Sequence, residues 1–365
     1  MDGLATRSAH LRPLYDVIHG AEDAPFAPAS AGDVLGPWRL MTQLLAHDDD
    51  CVLWVAELAA APPPGVSTPR HVLLKLKAYL AHGDEADNNA CERSSQRVKG
   101  DRELSFMQAR MLHTVPLYYS YGLAPAYSWT AMRRFSCSLR ALAVAVATEG
   151  ARGPTAAWFG AHWQYVALGI AASLKPVHLR GWVHGDLKQA NLVVFRGDDA
   201  WLDAPEPASG SACDFARAEP ASGHGVLGHA TSNLYWMAYC GGRTSARVPP
   251  WIEDVSAVVW NLAMALHGIP NGAEPSRLNL WARMECMRDA QPHLSNAQLL
   301  DLLDDTVCSW LWRSREMPHT PQLRNCIRFL VRAEARGNKM GTEPTEAEYG
   351  EWVDALERDL KFKAL

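Results

Sequence analysis

The chain has 365 residues, 48% hydrophobic and 21% charged, enough length and apolar content to bury a sizeable core and too apolar to be a disordered sequence. Its formal net charge of -5 gives no electrostatic case for nucleic acid as a direct partner. The eight cysteines are scattered with no C-x-x-C pair, which argues against a zinc cluster or a disulfide framework and suits a reducing compartment.

Taken in order, the N-terminus MDGLATRSAHLRPLYDVIHG lacks the apolar core of a secretory signal. The most apolar internal runs, around 139–147 and 165–174, are too short or too polar to cross a bilayer. The expectation is an intracellular protein, cytoplasmic or nuclear, with no membrane partner. Residues 1–36 are rich in Ala, Pro and Gly and read as a flexible extension. Strand-like alternation begins with WRLMTQLL at Trp38, continues in CVLWVAEL at 51–58 and, after AAAPPPGVSTP, in HVLLKLKAYL at 71–80. Three short strands joined by hairpin-like loops predict an antiparallel sheet. On the third, alternation places Lys75 on the face opposite Leu74, and Lys77 shares that face.

A polar stretch leads to RELSFMQARML, a helical pattern on which Glu103 and Met107, four apart, share a face. Glu92 is the alternative carboxylate if the helix begins earlier. VPLYYSYGL and YSWTAMRRFSCSLRALAVAV then read as two strands, a connector near Arg133–Phe135 and a helix from about Ser138. A long helical pattern, WFGAHWQYVALGIAASLKPVHLRG, runs directly into WVHGDLKQANLVV at 182–194. That stretch holds Asp186, Lys188 two residues on and Asn191 five residues on. An Asp can orient a hydroxyl, the Lys can reach the same phosphoryl group and the Asn can hold a metal ion, an arrangement suited to phosphoryl transfer.

Downstream, ACDFARAE supplies an apolar-flanked carboxylate, Asp214, beyond an inserted loop, RGDDAWLDAPEPASGS. The helix WIEDVSAVVWNLAMALHG carries Asp254 at its start, where a carboxylate suits the helix N-terminus. The remainder is helical, ending in PQLRNCIRFLVRAEA and EYGEWVDALERDL.

These residues resemble the protein kinase superfamily, and within it the vaccinia-related kinase branch and its poxviral relatives, near casein kinase 1. The resemblance is carried by HGDLKQAN, ELSFMQ around Glu103, the M-x-R-F connector at Met132–Phe135, EDVSAVVW and the closing EPTEAEYGEWVDAL. It implies an α+β, two-lobed fold over 37–361, with a small antiparallel-sheet lobe at about 37–135 and a mainly helical lobe at about 136–361. By the same resemblance, ATP and Mg2+ are the cofactors. Asp186 orients the substrate hydroxyl, Lys188 neutralises the moving phosphoryl group, and Asn191 and Asp214 bind magnesium. Lys75 paired with Glu103 holds the α- and β-phosphates. Met132 is the gatekeeper, and Arg134 and Phe135 offer backbone groups to adenine. His184, Phe215 and Met107 stack as an apolar spine, and Asp254 braces the catalytic loop. Gly185 stands where most such kinases have Arg, so no switching by activation-loop phosphorylation is expected. A small chromatin-bridging factor and histones are the implied protein partners. The Ala-rich composition together with this branch suits a GC-rich viral genome.

Three departures bear on function. The phosphate-covering loop aligns Ala46, Asp48 and Cys51 with the three glycine positions, and Asp48, Asp49 and Asp50 form an acidic tip. One such charge about 8 Å from a phosphate charge costs roughly 2 kcal/mol at an effective dielectric near 20. That corresponds to a nucleotide affinity lower by about ten- to a hundredfold. Ala216 replaces the DFG glycine, and the region after Glu103 lacks a helix that the branch often inserts. The complete catalytic set favours a Ser/Thr protein kinase with weakened nucleotide binding. The acidic loop favours a pseudokinase scaffold. An aminoglycoside- or choline-kinase-like phosphotransferase shares the HGDL…N loop, but Lys188 and the helix at Asp254 oppose it.

Overall fold

The computed structural model describes residues 16–18, 30–47, 51–59, 71–78, 106, 109, 111–123, 127–199, 206–215, 217–221, 249–271, 289–290, 292–293, 323–336, 340 and 343–363. The fold is mixed α+β, and the chain divides into two compact units, Met1–Arg134 and Phe135–Leu365. No helix among the described residues is long and apolar enough to cross a membrane.

The first unit is built on a sheet. Its strands are β1 (Asp16–Ile18), β2 (Val34–Leu35), β3 (Trp38–His47), β4 (Cys51–Leu58), β5 (His71–Ala78), β6 (Tyr118–Leu123) and β7 (Tyr127–Arg133). They lie in the order β1-β6-β7-β5-β4-β3-β2, antiparallel throughout except that β1 runs parallel to β6. Two pieces of the stretch read as a flexible extension pair with this sheet. Asp16–Ile18 adds an edge strand, and residues 30–35 fold back on β3 through the Gly32 N to Leu40 O and Leu40 N to Asp33 O hydrogen bonds, both 2.8 Å.

Alternation decides which side chains fill this sheet's core. Val72, Leu74 and Leu76 of β5 pack with Trp38, Leu40, Trp54, Ala56, Tyr119, Trp129 and Ala131. A buried ring of this size removes about 150–250 Å² from water, roughly 4–6 kcal/mol of transfer free energy. The Trp38 indole N–H, buried with it, donates to Ser120 Oγ at 2.9 Å. Lys75 has the opposite parity, in register with Leu53 and Thr130, and is only partly buried. Met41 and Leu44 sit at two register shifts between β3 and β4; the shifts turn both outward, 41% and 48% exposed.

The second unit is mainly helical. Its helices are α1 (Leu139–Glu149), α2 (Pro154–His178), α3 (Pro250–Leu266), α4 (Arg324–Arg336) and α5 (Glu346–Lys363). Ser138 caps α1, its Oγ accepting the Ala141 N–H at 3.2 Å. Two small sheets thread between the helices. One has β10 (Leu192–Phe195) between β11 (Ser209–Ala212) and β8 (Cys137–Ser138); the other pairs β9 (Trp182–Val183) with β12 (Glu219–Pro220). Every residue of α3 from Pro250 to Ala265 is buried, which marks it as the central helix of this unit. Asp254, Ser256 and Asn261 are thus polar groups inside a core and require partners there.

Glycines set how closely β11 approaches α2. A Cβ on Gly169 would fall 2.5 Å from the Gly210 nitrogen, and one on Gly210 would fall 2.6 Å from the Val166 carbonyl oxygen. The two backbones meet because neither residue has a side chain. Ser173 Oγ completes the contact by accepting the Ala212 N–H at 2.9 Å. This packing fixes the strand that leads into Asp214.

Candidate active site

The candidate site is the loop between β9 and β10, with the segment that follows β11. The loop turns sharply at Gly185, whose φ of +72° is one that L side chains rarely adopt; the local backbone therefore favours glycine there. The turn is held from below by α3. Asp254 Oδ2 accepts the His184 N–H at 2.7 Å, and its Oδ1 accepts the Gly185 N–H at 3.2 Å. A third contact comes from His178 Nε2, 3.0 Å from Oδ2, at the end of α2. Burial pushes the Asp254 carboxyl up, but the hydrogen bond and charge of His178, followed by those of His184, outweigh it and hold the group below the usual carboxylate range.

A second clamp comes from the same face of α3. Asn261 lies seven residues, two helical turns, after Asp254. Its Nδ2 donates to Leu187 O at 3.1 Å and to Ala257 O at 2.8 Å. Gln189 adds a third tie, donating to Ile269 O at 3.0 Å and accepting the Asn271 N–H at 2.8 Å. The loop is thus anchored at 184–185, at 187 and at 189, on either side of the buried Asp186 and the partly exposed Lys188.

Three side-chain nitrogens approach Asp186 Oδ2. Lys188 Nζ lies at 3.1 Å, Asn191 Nδ2 at 3.4 Å and Arg217 Nε at 3.8 Å. The Asp186 side chain is 11% exposed, against 42% for Lys188 and 33% for Arg217. Asn191 also donates to Asp186 O at 2.9 Å, and the 3-10 turn Gln189–Asn191 that places it closes with Asn191 N to Lys188 O at 2.8 Å.

His184 couples this loop to Asp214. The Asp186 N–H donates to its Nδ1 at 3.3 Å, which puts the ring proton on Nε2, 2.9 Å from Cys213 O. Phe215 packs on the same ring, with centroids 4.5 Å apart. Cys213 N donates to Asn191 O at 2.9 Å. Asp214 itself has φ +63°, the single positive value among the described non-glycine residues. Such a backbone costs on the order of 1–3 kcal/mol and persists where the surroundings over-determine it.

Behind the brace lies an aromatic cluster. Rings of Trp251 and Tyr349 lie 6.4 Å and 5.8 Å from the His178 ring, and Trp251 and Phe329 are 6.3 Å apart. Burial, with the Asp254 charge nearby, pushes the Tyr349 phenol well above its usual range; the protonated hydroxyl donates to Ala171 O at 2.8 Å. Helices α4 and α5 thereby support the residue that holds the loop.

Of the residues singled out in the sequence, His184, Asp186, Lys188, Asn191, Asp214, Phe215 and Asp254 meet in this one site. Lys75, Met132 and Arg134 belong to the first unit, on β5, on β7 and just after β7; Phe135 opens the second. Ala46 and Cys51, two of the positions aligned with the glycines, lie in β3 and β4, in register with Val52 and His47. Glu103, Met107, Asp48 and Ala216 lie outside the described residues, as does the alternative Glu92. Sequence reasoning missed His178, Gln189, Asn261 and Arg217. The seven-residue spacing of Asp254 and Asn261 is the one local signal that could have revealed a second clamp.

Among the described residues no group of three or more His, Cys, Asp and Glu could hold a metal ion. Asn191 supplies an amide beside Asp186, and Asp214 supplies a carboxylate in the segment after β11, between Cys213 and Phe215, which both meet the loop. That set suits a magnesium ion completed by phosphate oxygens and water better than a cage made wholly of protein. No family model and no curated protein matches this chain.

Proposed function

We propose that this chain is a two-lobed, protein-kinase-like phosphotransferase acting on protein hydroxyls inside the cell, with ATP as donor and Mg2+ as cofactor. The observation that carries the reading is the joint placement of Asp186, Lys188 and Asn191 within 3.4 Å of one carboxylate oxygen or sharing it, on a backbone tied down by Asp254. Preorganised charge at a point where charge develops is what phosphoryl transfer requires of a protein.

In this reading a serine or threonine hydroxyl is oriented by Asp186. Its oxygen forms a bond to the γ-phosphorus as the bond to the β,γ-bridging oxygen breaks, and its proton passes to the Asp186 carboxylate and then to solvent. ADP leaves with the bond's electron pair. Lys188, partly exposed beside Asp186, moves onto the phosphoryl oxygens. Asn191 uses its nitrogen on Asp186 and keeps its oxygen for a cation, and Asp214 supplies the carboxylate. A magnesium ion bound there supplies neutralisation of the phosphate charge. Lys75 and Glu103 hold the remaining phosphates, and Met132, Arg134 and Phe135 receive adenine.

The test is thermal stabilisation by MgATP followed by γ-phosphate transfer to a generic protein substrate, with aminoglycosides and choline as alternative acceptors. Asp186→Asn should lower transfer by about 10²–10⁴-fold. The absence of stabilisation at millimolar nucleotide would sink the enzyme reading. It would favour instead a catalytically impaired scaffold, the reading supported by the glycine-free hairpin in which Ala46 and Cys51 are strand residues.

A further inference from the structure

Asp186 has a second cationic neighbour that the sequence motif does not contain. Arg217 Nε lies 3.8 Å from Asp186 Oδ2, the oxygen that Lys188 Nζ meets at 3.1 Å. At that distance Arg217 forms an ion pair but no hydrogen bond. Its side chain is one-third exposed, and among the described residues its guanidinium donors make no hydrogen bond. A fork of five N–H groups is held next to the reacting carboxylate with its bonding capacity unused.

The backbone delivers Arg217 to this place. On one side Phe215 packs against the His184 ring; on the other Glu219 pairs with Val183 in the β9–β12 ladder. A turn closed by Ala218 N to Phe215 O at 3.0 Å spans the residue. Both flanks are therefore tied to the catalytic loop, on chain segments that precede Asp186. Lys188 meets the Asp186 carboxylate at hydrogen-bond distance, whereas Arg217 stands farther off and faces partly outward.

We propose that Arg217 is a substrate-contacting residue of this site, its guanidinium leaving Asp186 to fork onto two oxygens of a terminal phosphate group beside Lys188. The identity of that phosphate as a reacting group rests on the phosphotransferase reading; the anion site itself does not. The phosphate is either the γ-group of the donor or a group already present on a phosphorylated acceptor, and the experiment separates the two.

Full-length protein, Arg217→Ala and Arg217→Lys are titrated by calorimetry with inorganic pyrophosphate, MgADP, the non-hydrolysable Mg-AMP-PNP, and a serine peptide with and without a phosphoserine. Matching far-UV circular dichroism and urea midpoints establish that the variants fold. Pyrophosphate should bind about tenfold more weakly to Arg217→Ala, with Arg217→Lys between the two because it keeps the charge without the fork. A loss confined to AMP-PNP, with ADP unchanged, assigns the phosphate to the donor; a loss confined to the phosphopeptide assigns it to the acceptor. Equal pyrophosphate affinity in wild type and Arg217→Ala, no pyrophosphate binding to wild type, or faster transfer by Arg217→Ala overturns the proposal, the last because Arg217 would then only mask Asp186. A pyrophosphate site that depends on Arg217 in a protein that ignores ATP leaves this proposal standing and removes the ATP-dependent reading. Transfer from ATP that is indifferent to Arg217 does the reverse.

Discussion

Asp254 Oδ2 accepts the His184 backbone N–H at 2.7 Å across 70 residues of chain. A fully buried carboxylate on the central helix thereby sets the conformation of the loop that bears Asp186. Removing it leaves two backbone N–H groups and the His178 ring without their acceptor. Each orphaned buried donor costs on the order of 1–3 kcal/mol. Asp254→Ala should therefore lower unfolding stability by at least ~3 kcal/mol, read from urea denaturation. A loss below about 1 kcal/mol would mean that water or another group replaces the carboxylate.

The same carboxylate gives the protein an acid limb. Its native proton affinity is depressed by His178 and His184 relative to an ordinary carboxyl of about 3.9. Between the depressed native value and the unfolded one, the unfolded chain binds more protons, so stability rises with pH in that window. The contribution is complete above about pH 4 and is lost as pH falls through the native value. Urea midpoints measured from pH 7 to pH 2 should fall more steeply below about pH 4 for wild type than for Asp254→Asn. Parallel curves would show that Asp254 does not set the acid limb.

Asn261 offers a separate test of the clamp. Asn261→Ala frees the Leu187 carbonyl inside the core and should cost about 2 kcal/mol. If the site transfers phosphate, kcat should fall more than KM rises, because the loop that presents Asp186 loosens while nucleotide contacts elsewhere persist. A rise in KM alone would place Asn261 in binding rather than in positioning.

Close packing of α2 on β11 predicts a steric penalty. In Gly210→Ala the new methyl group meets the Val166 carbonyl oxygen at 2.6 Å, and backbone cannot give way as a side chain can. Destabilisation of about 1–3 kcal/mol is expected, with a drop in melting temperature. Unchanged stability would show that helix and strand can separate without cost.

Cys137 is expected to be chemically quiet in the native state. Burial, with a smaller contribution from Asp199 and partial relief by Arg196, raises its thiol to about 11. At pH 8 about one molecule in a thousand would then be the thiolate. Peptide-mapped iodoacetamide labelling should leave Cys137 unmodified in the native protein and modify it after urea denaturation. Rapid native labelling would contradict the burial argument.

Local chemistry made much of this protein legible. Alternation located β3, β4 and β5 because one face of a sheet is buried, and it placed Lys75 opposite Val72, Leu74 and Leu76. The spacing of Asp186, Lys188 and Asn191 was readable because a short loop followed by a strand brings such near neighbours together. Asp254 illustrates the limit. Read by position alone, it suited a helix N-terminus, and only the kinase resemblance implied a brace for the loop; in the fold, Pro249 precedes the helix and the Asp254 carboxylate accepts from His184 and Gly185. A helix buried on every face offers no water, so its carboxylate goes to whichever donors the fold brings near.

Turn residues, apolar periodicity and motif spacing act over a few residues, and so they revealed β3, β4, β5, the long helices and the spacing of Asp186, Lys188 and Asn191. Tertiary structure decided the rest. Asp16–Ile18 joins a sheet through a pairing with residues more than a hundred positions away. Asn261 and Gln189 hold the loop because α3 passes beneath it. Arg217 reaches Asp186 because β12 pairs back onto β9. Each of these depends on long-range backbone pairing or on helix placement, which no spacing along the chain encodes.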